Sequence, residues 1–112
     1  MKRNECEYLV YISPDGNASP CRVRNNDTYH QLKNLVDGEP RIYYPFDGGK
    51  YIFVAAAEST AFTNYIASLF LGERGRYIRG GAVLCMIGER GEYVGFEKKV
   101  AQHIAGVMNL LR

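Results

Sequence analysis

Apolar and polar positions follow two rhythms along the chain, one of period two and one near 3.6, and their order predicts the elements. Residues 8–12 and 21–24 read as strands joined by a turn that Pro14, Asp15 and Gly16 supply. A hairpin tipped at Asp15 and Gly16 pairs Val10 with Cys21 and Tyr8 with Val23, which gathers Tyr8, Val10, Ile12, Cys21 and Val23 on one face. Thr28 and Gln31 match a capping box, and Tyr29, Leu32, Leu35 and Val36 recur at helical spacing, so a short helix starts here, and Gly38 suits the left-handed residue that ends it. Residues 41–46 and 51–56 flank Asp47, Gly48, Gly49 and Lys50, a strong hairpin signal. Ile42, Tyr44, Phe46, Tyr51 and Phe53 then share a face, and Pro45, with no amide proton, marks a strand end or an edge.

The second half repeats the alternation. Phe62, Tyr65, Ile66, Leu69 and Phe70 recur at helical spacing after Ser59 and Thr60, with Gly72 behind them, and predict a second helix. Residues 77–87 read as one strand, and the unbroken run Ala82-Val83-Leu84-Cys85-Met86-Ile87 implies burial on both faces at the centre of a sheet. Residues 88–91 form a turn, residues 93–96 a short strand, and Val100, Ile104, Val107, Met108 and Leu111 the apolar stripe of a terminal helix. The expected fold is a single α+β domain spanning residues 1–112. Its mainly antiparallel sheet has about five strands with three helices, in the order ββαββαββα.

Composition narrows the function classes. With 46% hydrophobic and 23% charged residues, the chain has the balance of a folded globule and not of a disordered segment. The net charge of +2 is spread evenly, seven basic against seven acidic groups in residues 1–56 and seven against five in residues 57–112, so bulk electrostatics select no partner. Three cysteines without a C-x-x-C spacing suggest neither a disulfide framework nor a zinc knuckle, and no apolar run has the length of a membrane span. A cytoplasmic protein with no membrane partner is expected.

Candidate chemistry is sparse. His30 and His103 have no second ligand at helical spacing, so no metal site is expected. Cys85 could be a thiol nucleophile with His103 as its base, but its apolar run would desolvate it and keep it inert. Glu58, Glu92 and Glu97 show no spacing that fixes two-acid chemistry, and Gly48-Gly49-Lys50 lacks the pattern of a phosphate loop. The chain is therefore expected to have no catalytic residues, to use no cofactor and not to be an enzyme. The basic cluster Arg74, Arg76 and Arg79, with Tyr77, Arg90 and Tyr93, supplies the candidate binding residues, since arginine neutralises phosphate and tyrosine stacks on bases. Residues 90–96 partly resemble the aromatic strand motif of RNA recognition motifs, with Glu92 in the place of one stacking aromatic. Residues 52–55 would be the companion strand, and the fourth strand of that fold would be missing.

A second resemblance covers residues 28–96. The order Leu32-x-x-Leu35-Val36-x-Gly38, then Tyr44-Pro45-Phe46-Asp47, an apolar strand ending near Glu58, Asn64-x-x-Ala67 and Ile78-x-Gly80-x-Ala82-Val83 resembles a family of small uncharacterised proteins. That family is carried by phages, plasmids and conjugative elements and is known as a domain of unknown function. The chain departs from its pattern in a more apolar, helical stretch around Asn64, in lacking an acidic segment before it, and in a longer terminal helix. The resemblance implies no catalytic residues and a setting in a phage or mobile element; together with the missing catalytic constellation it leads to the expectation of a non-enzymatic accessory protein that binds a host macromolecule or another copy of itself, modulating a host system. Nine tyrosines fit such contacts, with Tyr8, Tyr44 and Tyr51 assigned to the core or sheet face. A single-stranded nucleic-acid module is the second reading, and an oligomeric sponge for a small ligand or nucleotide the third.

Overall fold

The computed structural model describes residues 7–23, 28–44, 51–72 and 77–111. Along the chain lie β1 (Tyr8–Ile12), β2 (Ala18–Arg22), α1 (Thr28–Val36), β3 (Pro40–Tyr43), β4 (Tyr51–Ala56), α2 (Tyr65–Leu71), β5 (Ala82–Ile87), β6 (Tyr93–Val94) and α3 (Lys98–Leu110). This is an α+β fold in the expected order ββαββαββα. The strands form one antiparallel sheet in the order β2-β1-β5-β4-β3, with β6 paired to β5. The cluster Ala82-Val83-Leu84-Cys85 is buried on both sides, as its unbroken apolar run requires.

Alternation along the strands divides the core in two. Val10, Ile12, Phe53, Ala55, Ala82 and Leu84 point to the side covered by α2 and α3. Leu9, Ile52, Val54, Val83 and Cys85 point to the side covered by Leu32 and Val36 of α1. The sheet is thus the middle of three layers.

Both hairpin faces differ from expectation by one residue. In the first, Ser13 and Asn17 close a three-residue loop, with Ser13 N–H donating to Asn17 O at 2.9 Å, Gly16 N–H to Ser13 O at 2.8 Å, and Gly16 left-handed at φ 91°. A three-residue loop replaces the two-residue tip, so Leu9, not Val10, pairs with Cys21, and every side chain of β2 changes face. The hairpin β5–β6 uses the same turn, with Gly88 N–H on Glu92 O and Gly91 left-handed. In the third hairpin Ile42 pairs with Val54 and Tyr43 with Phe53, so Ile42 belongs with Ile52 and Val54 on the α1 side. β3 stops at Tyr43 and forms an edge, Tyr44 is exposed and not a sheet-face residue, and the predicted turn at residues 47–50 lies outside the described residues.

The helix caps also shift. Thr28 is the first residue of α1 and not its cap, and the Gln31 side-chain amide donates to Arg22 O at 2.7 Å, which ties the helix to β2. The left-handed residue after α1 is Asp37, φ 60°, with Gly38 N–H donating to Lys33 O, the six-to-one bond of a Schellman ending. Gly38 is needed for another reason: a Cβ there would lie 3.1 Å from Ala56 Cβ.

The helices of the other layer approach the sheet through small residues. α2 buries Ile66, Ala67 and Leu71, and α3 buries Ala101, Ala105 and Met108. Of the expected stripes, Ile66 and Met108 are buried and Phe70 and Ile104 pack against the core, but Phe62, Tyr65, Leu69, Val100, Val107 and Leu111 are exposed. Alanines let a helix axis come close to the sheet, which moves the bulky side chains to its flanks. At the outer edge, Asn109 of α3 accepts from Ala18 N–H at 2.8 Å and donates to Ala18 O at 2.9 Å, occupying both backbone groups of an edge-strand residue.

Candidate functional site

The predicted strand over residues 77–87 is broken by Gly80, left-handed at φ 75°. Before that break, residues 78–80 pair with residues 62–64: Asn64 N–H donates to Ile78 O at 2.7 Å, Gly80 N–H donates to Phe62 O at 3.1 Å, and Thr63 faces Arg79. Ser68, one turn into α2, accepts from Ile78 N–H at 2.8 Å. This small ribbon fixes where α2 begins.

Asn64 is its anchor. The side chain is fully buried, its carbonyl accepts from Ala67 N–H at 3.1 Å as an N-cap, and its amide lies within 3.3 Å of Ile12 O, 3.0 Å of Ser13 O and 2.8 Å of Gly80 O. One amide therefore joins the end of β1, the start of α2 and the glycine break before β5. The Asn64-x-x-Ala67 spacing is the sequence trace of this cap, and reading it as one places Phe62 outside the helix.

With Asn64 and Ile78 turned inward, the adjoining Tyr65, Tyr77 and Arg79 turn outward, and Phe62 and Leu69 are exposed as well. Phe62 is 90% exposed, Tyr65 76%, Leu69 61% and Tyr77 63%, and Tyr65 and Leu69 stand one turn apart on a single face of α2. None of the first three was expected to be exposed. Alongside lies a polar cleft of about 370 Å³ lined by Tyr43, Ala56, Ala57, Glu58, Ser59, Tyr77 and Arg79. The Arg79 guanidinium donates to Ala61 O at 3.4 Å at the edge of the ribbon.

The structure brings together only part of the arginine and tyrosine set. Tyr77 and Arg79 share the polar cleft, whereas Arg90 sits in the turn after β5 and Tyr93 in β6. The six residues of β5 separate the two groups, on the order of 17 Å at the rise of a strand. Arg74 and Arg76 lie outside the described residues. Tyr93 is half-buried against the α1-side core, and its hydroxyl pKa is raised, first by that burial and then by the nearby Cys85 and Tyr44.

Two other expectations are settled by which face a residue takes. Cys85 packs on the α1 side, where burial pushes its thiol up to about 12, while His103 belongs to α3 on the opposite side of the sheet. The pair cannot act together. The base-stacking strands of an RNA recognition motif need an open sheet face, but Ile52 and Phe53 are covered from both sides and Phe96 is buried. Among the described residues, no group of three His, Cys, Asp or Glu side chains could hold a metal, and no helix is long and apolar enough to cross a membrane. Set against protein-family models, curated proteins and solved structures, the chain matches none.

Proposed function

We propose that the protein is a non-enzymatic binding module that engages another protein through the outer flank of α2. The observation carrying this reading is the row Phe62, Tyr65, Leu69 and Tyr77, four large side chains that are each more than half exposed beside the Arg79 guanidinium. Aromatic residues with an adjacent arginine are the composition of interface centres, because they bury large areas while ordering few torsions. The ribbon and Asn64 hold the row on a fixed frame, so little freedom is lost on docking. The resemblance to proteins of phages and plasmids supports an accessory role in such an element, acting on a host system. Tyr77 and Arg79 keep nucleic acid as the second reading, although Glu58 in the same cleft opposes a phosphate.

The test is affinity capture from a host lysate with and without nuclease, using the wild type and the double variant Phe62→Ser with Leu69→Ser. Light scattering across a concentration series is run on both. Nuclease-resistant capture, or self-association, that the double variant loses supports the reading. Capture abolished by nuclease and by Arg79→Ala, but indifferent to the double variant, overturns it in favour of nucleic acid.

A further inference from the structure

On the α2–α3 side of the sheet, away from the exposed row, a cleft of about 210 Å³ opens between the two helices. Tyr51 and Phe53 of β4, Leu84 of β5, Phe70 of α2, Phe96, and Ile104, Val107 and Met108 of α3 form its wall, and His103 is the one side chain there that can be charged. Helical geometry explains why it is left open. Ala101, Ala105 and Met108 aim α3 at the sheet, so the line Val100, Ile104, Val107 and Leu111 is turned by roughly 90° from that contact. Its middle two residues face the cleft, and Val100, Val107 and Leu111 remain substantially exposed. The bulkiest apolar stripe of the longest described helix thus borders a space that the described residues leave open.

We propose that this cleft binds a small aromatic molecule of one or two rings carrying one polar substituent. Size selects the class: a dry cavity of roughly 150 Å³ holds a benzene ring, so 210 Å³ suits a substituted ring or an indole and is too small for most cofactors. Shape and chemistry agree, since four aromatic side chains offer edges and faces to a flat ring and Met108 adds a polarizable sulfur. The His103 imidazole supplies the polar contact for the substituent. The site is separate from the α2 flank assigned to a protein partner, so either can fail without the other.

The chain contains no tryptophan, so indole fluorescence excited beyond the tyrosine band reports the ligand alone. Titration with indole and with indole-3-acetate is expected to give saturable, blue-shifted emission with a Kd of about 0.1–1 mM. Val107→Phe, a change at a half-exposed helix position that fills the cleft, should weaken both probes by roughly tenfold or more with an unchanged melting profile. His103→Ala should weaken indole-3-acetate while sparing indole, and Phe62→Ser should alter neither. Should Val107→Phe fail to fold, the His103→Ala split between the two probes decides alone. Absence of saturable emission with both probes at millimolar concentration, or binding that Val107→Phe leaves intact, overturns the proposal.

Discussion

The two faces of the sheet are built to different tolerances. On the α1 side, contacts are so close that two glycines are fixed by space: a Cβ on Gly38 would meet Ala56, and one on Gly81 would lie 2.9 Å from the Tyr11 hydroxyl and 3.0 Å from Leu35 O. Leu9, Leu32, Ile52, Val54, Val83 and Cys85 fill that layer. On the other side, α2 and α3 rest on alanines, a cleft stays open between them, and large apolar residues face outward. The α2–α3 layer holds the larger buried cluster and also the exposed apolar side chains, whereas the α1 layer is smaller and closes on its glycines without spare room. In the open layer Asn64 ties α2 to β1 and to the glycine break before β5, as Asn109 ties α3 to β2.

That contrast can be broken most severely at Asn64. Asn64→Ala removes the α2 cap and strands the carbonyls of Ile12, Ser13 and Gly80, and should cost about 3 kcal/mol in urea unfolding. Hydrogen exchange should show the loss of protection spreading through α2 and residues 78–80 before it reaches α1. Uniform loss across both layers would mean that the open side has no separate anchor.

Gly81→Ala probes the closed layer. The Tyr11 hydroxyl can swing away from a new methyl group, but the Leu35 carbonyl belongs to the α1 backbone and cannot, so a loss of about 2 kcal/mol is expected. The same change at Gly106, where a Cβ meets nothing within 4 Å, should be neutral or slightly stabilising, since alanine favours a helix.

Cys85 gives the third test. Its thiol should resist alkylation in the native protein and react once the chain is unfolded. Between pH 9, where an exposed thiol ionises, and about 12, the folded state keeps a proton that the unfolded state has lost. Stability therefore falls with rising pH across that window, by about 1.4 kcal/mol per pH unit from this group. Cys85→Ala should flatten the slope by that amount. The smallest effect is expected on the open flank, where Leu69→Ser should change stability by no more than about 0.5 kcal/mol, because Leu69 is already mostly in water.

The sequence showed the element order, the central buried strand and the glycine-bounded turns, because each is written in local chemistry. Faces were harder. Pro14, Asp15 and Gly16 announce a turn but do not distinguish a two-residue loop from a three-residue one, and that single residue reverses every side chain of β2. The helix stripes misled for a related reason: bulk was taken as the mark of burial, whereas Ala67, Ala101 and Ala105 are what the sheet admits at close range. The exposed row along α2 is hidden for the same reason, since Phe62, Tyr65 and Leu69 carry the spacing of a core stripe. Of the described arginine and tyrosine candidates, Tyr77 and Arg79 meet, while the length of β5 keeps Arg90 and Tyr93 apart from them.

The amide of Asn109 against Ala18 has a consequence for how copies of this chain can add to one another. A sheet grows by offering unpaired backbone at its margins, and a molecule with two such margins can polymerise without limit. Here one margin is already engaged by Asn109 and carries Pro20, which has no amide hydrogen to give. Among the described strands, the β3 margin is left. Two copies joined there would have used the extensible ends of their described strands, so strand addition through these edges would stop at a pair.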